Sequence, residues 1–388
     1  MKNRIALLLC LALVCGALGF AGCGKPRAPR AALDTPDHHV ANGYKLLTSG
    51  KVADAEREFT LAVELDKKYS PAYGGLALAS ATEGNFEKAG DLLKKADKYA
   101  KTPEQEAEAC VTYIRFYTLA QKAVSDNWLA KAEQKFSQAK KLLPNDPAAY
   151  FYMGMAYRAD YDLPQAETMF SKVIDLNGKF VGEADRAYAD VQKIERAKPG
   201  TPIGRKIALV DKITRGDVAA LFIQELGLDK LFAAKKKFDP SFKSPDQIFT
   251  TETVVKAPEA TDISDHVLKT DIEAVIKSDI RGLTPYPDHT FQPDKPITRA
   301  EFAMMLEDIL IKATGDEALA TRFIDSPSPF PDVRSDVSYF NSVMVCTSRN
   351  LMAAKDLATG EFDPMGPVSG ADALLSIRAL KTLLKADG

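Results

Sequence analysis

A period of 34 residues, running from Pro36 to about Asn177, constrains this chain more than any other feature. Gly50, Ala55, Phe59 and Ala62 recur as Gly84, Ala89, Leu93 and Ala96. In a second phase Ala132, Phe136 and Ala139 recur as Ala166, Phe170 and Val173. In the preceding segment of each unit, Tyr73, Leu76 and Ala77 correspond to Phe116, Leu119 and Ala120, and again to Tyr150, Met153 and Gly154. Two antiparallel helices pack closely only where a small residue lets them touch, with large apolar residues filling the gaps beside it. One such pair cannot bury its own face, so several must stack. The spacing marks four units at 36–69, 70–103, 113–146 and 147–178, with an extra "TPEQEAEAC" between the second and third that lengthens a helix.

This pattern resembles the tetratricopeptide repeat. The resemblance implies a helical solenoid with a face for a protein partner. Its inner-face positions would include Val40, Tyr44, Leu47, Leu78, Tyr117, Phe151 and Met155. Two readings fit this stripe: mutual packing, or a groove for an apolar peptide or helix formed by Tyr44, Leu78, Tyr117, Phe151 and Met155. Nothing here resembles the Lys/Asn clamp by which some members hold a C-terminal carboxylate.

The chain opens "MKNRIALLLCLALVCGALGFAGCGK", a basic start followed by an apolar stretch that ends in small residues. That is the layout of a secretory signal peptide over residues 1–22; an uncleaved helix over Ile5 to Gly22 would also just span a bilayer. "FAGC" resembles a bacterial lipobox, with Phe20 where Leu is usual, and implies diacylation of Cys23 and a lipid anchor in the membrane. Gly24 stands where Asp would favour inner-membrane retention in lipoproteins of this kind, which implies an outer-membrane lipoprotein facing the periplasm. Residues 23–35, rich in Pro and Arg, read as a lipidated tether able to reach about 40 Å when extended. His38 and His39 read as exposed, and Cys110 and Cys346 as small buried hydrophobes.

A second phrase recurs in the other half of the chain: "DKITRGDVAALF" at 211–222, "PDKPITRAEFAMML" at 293–306 and "MGPVSGADALLSI" at 365–377. Thr298 and Glu301 form a capping box ahead of an apolar helix. Thr214 with Asp217, and Ser369 with Asp372, are shorter-armed versions of it. Capping accounts for the hydroxyl and the acid but not for Arg215 or Arg299. A cation in the first turn faces the positive end of the helix dipole, so something outside the helix must hold it.

These copies resemble the S-layer homology module. Phe330, Asp332 and Val333 match its opening, Pro287, Asp288, Thr290, Phe291 and Pro293 its loop (with His289 where Gly is usual), and Ile297 to Glu301 its ending. The resemblance implies a compact helical domain over 198–388, with modules at about 187–228, 262–312 and 328–385 and an insertion at 230–261. A helix at 179–197 would cap the repeats and serve as the first helix of copy one. In the family, grooves between modules bind cell-wall glycans and the motif arginine contacts their acid. Arg215 and Arg299 are thus the candidate glycan-binding residues, with a surface ion pair as the other reading. Gly370 takes the place of the third arginine and implies an altered site there.

The fold class is therefore mainly all-α: a repeat solenoid followed by a three-module helical domain. Net charge is −2, and loss of a leader carrying Lys2 and Arg4 lowers it by two more, which does not suggest a nucleic-acid partner. No carboxylate pair, His/Cys cluster or phosphate loop is spaced for catalysis, metal or cofactor, so no enzyme activity, metal site or cofactor is expected. These observations imply a non-catalytic envelope lipoprotein that binds peptidoglycan or an attached wall polysaccharide and recruits a protein partner. The alternative is a pilotin-like assembly factor for an outer-membrane, pilus or secretion complex, with a purely structural C-terminal domain.

Overall fold

The computed structural model describes residues 26–236 and 259–386. The leader, the lipobox with Cys23, and residues 237–258 of the insertion lie outside the described residues. Among the described residues the fold is helical with no strand, and no helix is long and apolar enough to cross a membrane. The chain divides into two units, residues 1–160 with 168–184, and residues 161–167 with 185–388.

The first unit contains the repeats: α1 (Pro36–Thr48), α2 (Val52–Leu65), α3 (Ser70–Thr82), α4 (Phe86–Tyr99), α5 (Pro103–Ala120), α6 (Trp128–Leu142), α7 (Pro147–Asp160) and most of α8 (Leu163–Leu176). Residues 103–110 of the extra segment form the first turns of α5, an 18-residue helix capped by Thr102. The repeating small residues have one physical job. A Cβ on Gly43 or Gly75 would lie 2.5 or 2.2 Å from the ring of Phe59, and one on Gly154 would lie 2.6 Å from the ring of Phe170. Phe59 and Phe170 are fully buried, each filling a slot that only glycine leaves open. Gly50 and Gly84 take φ +75° and +80° where α1 and α3 end, so the period keeps glycine there for its backbone.

The stretch read as an extended tether folds back on the first hairpin. The amide of Arg27 donates to the carbonyl of Glu64 (2.8 Å), and its guanidinium makes two 2.7 Å bonds to Asp34. Asp34 also bonds Nε2 of His39 (2.9 Å), whose Nδ1 meets Glu58 (2.7 Å). His39, read as exposed, is thus half-buried between two carboxylates. Helix N-capping by Thr35 follows directly, so the chain enters α1 from a fixed direction.

The second unit contains α9 (Val181–Ala197) from Asp185 onward, then α10 (Pro202–Ala208), α11 (Arg215–Leu221), α12 (Leu228–Lys236), α13 (Lys269–Lys277), α14 (Arg299–Thr314), α15 (Phe340–Ser348) and α16 (Gly370–Ala386). The division of the chain falls within the helix expected to be shared. Copy one has a helix of its own that the sequence did not suggest, α10, with Pro202 at its start and Thr201 as its cap. Buried Glu225 accepts from the amides of Gly200 and Thr201 and the Thr201 hydroxyl, pinning α10 to a π-helical turn, Phe222–Leu226, that continues α11. The insertion begins as helix, since α12 runs to Lys236.

The three capping boxes meet in a ring. Ile213 donates to the carbonyl of Val368 (3.0 Å) and Ile297 to that of Ile213 (3.2 Å), and all three side chains are buried. Glu307, 1% exposed, accepts from Arg281, Asn341 and Ser342 and so is a buried charge with a full set of donors.

Two outcomes follow. Gly75→Ala overpacks Phe59 and should cost about 1–3 kcal/mol, read as a lower melting temperature that Phe59→Leu partly restores. The tether clasp should depend on pH. Burial alone would lower the His39 pKa, but its bonds to Asp34 and Glu58 raise it overall. The bonds from Arg27 and then His39 hold Asp34 well below the carboxylate range. The histidine contribution is complete below its unfolded pKa and fades as pH rises through the raised value; the aspartate contribution is lost only in strong acid. Amide exchange at Arg27, corrected for its intrinsic rate, should accelerate as pH rises above the ordinary histidine range. His39→Asn should remove that dependence.

Candidate functional site

Each box begins a helix whose first amides have no partner within it. The next copy supplies them. The amides of Arg215 and Gly216 donate to the carbonyls of Lys295 and Pro293 (3.0 and 2.9 Å), and those of Arg299 and Ala300 to Gly366 and Pro364 (both 2.9 Å). Gly370 closes the ring by donating to Val210 (2.8 Å).

The expected caps form at the first two copies: Asp217, the shorter-armed member, closes a capping box with Thr214, as Glu301 does with Thr298. The carboxylate of Asp217 accepts from the Thr214 amide (2.9 Å) and hydroxyl (3.0 Å), and the amide of Asp217 donates back to that hydroxyl (3.2 Å). At the third copy, the amide of Asp372 donates to the Ser369 hydroxyl, which donates to the Asp372 carboxylate. Of the six capping residues, only Asp372 lines a groove described below. Thr214, Asp217, Thr298, Glu301 and Ser369 shape the joints and are not ligand contacts there.

The arginines follow their amides into the neighbouring copy. Arg215, 5% exposed, donates from Nε to Phe291 (2.7 Å), from Nη1 to Gly282 and from Nη2 to Thr284 (3.1 Å), all backbone carbonyls. Its guanidinium lies 4.6 and 4.7 Å from the rings of Phe291 and Tyr286. Arg299, also 5% exposed, donates from Nε to Phe362 (2.7 Å) and from Nη2 to Ala353 (2.6 Å), and stacks 4.5 Å from the Phe362 ring. The loops gripped in this way are held from below by Asp262, which accepts from the amides of Phe291 and Gln292, and by Asp332, which accepts from Phe362 and Asp363.

This corrects the expectation for Arg215. All three of its nitrogens are engaged with carbonyls of copy two, so its guanidinium is a staple between modules rather than a free contact for an acid. Nor is the surface ion-pair reading correct, since both arginines are buried on carbonyls. Gly370 has an equally local reason. A Cβ there would lie 1.7 Å from the carbonyl oxygen of Ile207, because copy one brings α10 where copies two and three bring a loop. With no loop to grip, no arginine is needed.

Arg299 has a second surface. With Phe302, Leu351, Met352 and Val368 it lines a groove of roughly 630 Å³, whose charged walls are Lys193, Arg196, Lys355 and Asp372. Nη1 of Arg299 has no hydrogen-bond partner among the described residues. Burial raises the Asp372 pKa, but the Ser369 hydroxyl and Lys193, 3.3 Å away, more than offset this and keep it ionised. Lys193, Arg196 and Lys355 were missed by sequence reasoning. Lys193 and Arg196 precede the motif, and Lys355 sits in a loop of no fixed pattern.

The repeat unit has its own groove, roughly 670 Å³, and it is mixed in character: Lys45, Glu108, Arg115, Asp146 and Lys179 line it beside Tyr44, Val111, Tyr152 and Phe180. The Arg115 guanidinium lies 4.5 Å from the Tyr152 ring and 5.4 Å from that of Tyr44. Burial pushes the Glu108 carboxyl upward, and Arg115 and Lys179 oppose it. Of the five proposed groove residues, only Tyr44 lines this wall. Leu78 is 1% exposed in the core, and Tyr117 packs between two core clusters. Phe151 lies behind the wall, stacked on Phe180 at 4.9 Å, and Met155 is half-buried.

Removing a staple should orphan its carbonyls at about 1–3 kcal/mol for each left buried without a donor. Arg215→Met and Arg299→Met should therefore unfold the second unit at markedly lower denaturant. Arg334→Met, which breaks only an exposed pair with Asp336, should leave the transition in place.

Comparison with known proteins bears on these parts. Over 200 residues, 46% of this chain, the sequence is 28% identical to cellulose synthase operon protein C of Xanthomonas axonopodis pv. citri (strain 306) and spans 13% of that relative's length. A solved structure of PilF from Pseudomonas aeruginosa is similar at 15% identity and a TM-score of 0.21, over 43% of this chain and 93% of that one. Residues 261–303 match the S-layer homology domain family. The matched stretch contains Asp262, the loop it clamps and the box from Thr298 to Glu301, the parts of copy two that build the joints.

Proposed function

We propose that this chain is a non-catalytic cell-envelope protein that holds an acidic wall glycan in the Lys193–Arg299–Lys355 groove and a protein partner in the groove of its repeats. A lipid on Cys23 would attach it to a membrane, a reading that rests on the sequence alone. The match of residues 261–303 to a family named for surface layers supports the envelope assignment. The observation that carries the glycan reading is the groove itself: four cations, Lys193, Arg196, Arg299 and Lys355, face one concave site, with a single acid, Asp372, among the described residues that line it. A guanidinium with one nitrogen left over and two ammonium groups suit a carboxylate or phosphate on a sugar. The name of the Xanthomonas relative, which refers to a polysaccharide synthase operon, agrees with a carbohydrate setting.

The mixed charges of the repeat groove suit a peptide that presents both an acid and a base, with Arg115 held rigid between two tyrosine rings to receive the acid.

Sedimentation of the full chain with purified wall sacculi tests the glycan reading. The wild type should pellet with intact sacculi and stay in solution once the acidic polymer is stripped. Lys193→Gln with Lys355→Gln should weaken pelleting at least several-fold while the protein stays folded. A wild-type chain that never pellets would remove the glycan and leave the assembly-factor reading.

A further inference from the structure

We infer that the groove continues into a second cationic lobe, so that the site takes an extended polyanionic glycan threaded through both lobes rather than a single acidic sugar. This rests on the glycan reading above and deepens it. The second depression, roughly 770 Å³, shares Arg196, Asn350, Leu375 and Ala379 with the first, so the two are one continuous trough. Each alone has the size of a small-ligand site; together they exceed what one sugar would fill.

The charge of the second lobe is one-sided. Arg196, Lys198, Arg349 and Arg378 line it and, among the described residues, no acidic side chain does. Arg196, Lys198 and Arg349 have no ion pair among the described residues, and Arg378 donates only to the backbone carbonyl of Arg196. That bond ties α16 to the end of α9 and fixes the lobe's two walls. Four cations gathered without counter-charges repel one another, a standing cost that an anionic ligand would relieve. α9 and α16 wall the second lobe, and Arg349 and Asn350 complete it.

The chemistry also selects among polyanions. The aromatic residue of the trough, Phe302, is fully buried, so there is no platform on which bases of single-stranded nucleic acid could stack. Leu375, Ala379 and Leu383 line the lobe among the cations, and its continuity with the first groove favours the same class of ligand over a lipid surface. A glycan with an acid on successive sugars meets both conditions.

Calorimetric titration of the full chain with oligogalacturonates of three and twelve sugars tests this, with Lys198→Gln/Arg349→Gln as the variant and its folding checked by thermal melting. Neither side chain makes an ion pair, so the variant is not expected to unfold. The wild type should bind the longer probe about tenfold or more tighter than the shorter one, with a steeper salt dependence. The variant should lose that advantage and keep its affinity for the trimer. If the dodecamer keeps its advantage in the variant, the second lobe is not used and the inference fails, while the first groove stands. If neither probe binds the wild type, both the inference and the glycan reading fall. Equal affinity for dT12 or for phosphatidylglycerol vesicles would overturn the choice of a glycan.

Discussion

The C-terminal unit depends on one joint, made twice with an arginine and once without. The first turn of a box helix hands its orphan amides to the loop of the next copy, and the arginine at that turn donates to carbonyls deeper in the same loop. Backbone polar groups that would otherwise be buried unpaired thus become the connectors between modules. An arginine with its back to a phenylalanine ring and its donors on carbonyls is a buried cation without a carboxylate partner, stabilised by peptide dipoles and the ring face. Aspartates below each loop hold the amides on the other side, so every gripped loop is clasped from both faces.

That joint also creates the groove. Where Arg299 pulls the loop of copy three onto α14, the loop's Lys355 comes to face Lys193 of α9 across Asp372. The same residue is therefore a structural staple on one edge and a groove wall on the other. The repeat unit solves a different problem with a similar economy. Phe59 and Phe170 are rings laid on glycines of the adjoining helices, and the fixed backbone that results carries charged side chains into a groove beside apolar and aromatic ones.

Much of the architecture was legible in the sequence. The 34-residue period marks helix pairs because the slot for Phe170 needs glycine at 154, and Gly50 and Gly84 need left-handed backbone. The capping boxes at Thr214 and Thr298 were readable because a box is local chemistry within four residues. What the arginines touch was not readable, since their partners lie more than fifty residues away and are backbone carbonyls, which leave no mark in side-chain identity. The absence of an arginine at Gly370 looked like a damaged motif; it reflects a backbone contact with Ile207 that no residue with a side chain could allow. The groove cations Lys193 and Arg196 escaped for a simpler reason: they lie on a helix outside the recurring phrase.

If the joint organises the domain, its two sides must act as one unit. The most direct test is a double-mutant cycle between Arg299→Met, on the box side, and Asp332→Asn, on the side that holds the loop from below, measured by denaturant unfolding of the full chain. The two changes should be strongly non-additive, with a coupling of about 1–3 kcal/mol, because either one alone frees the loop that both hold. Additive effects would mean that the loop is kept in place by something else, and would contradict the account.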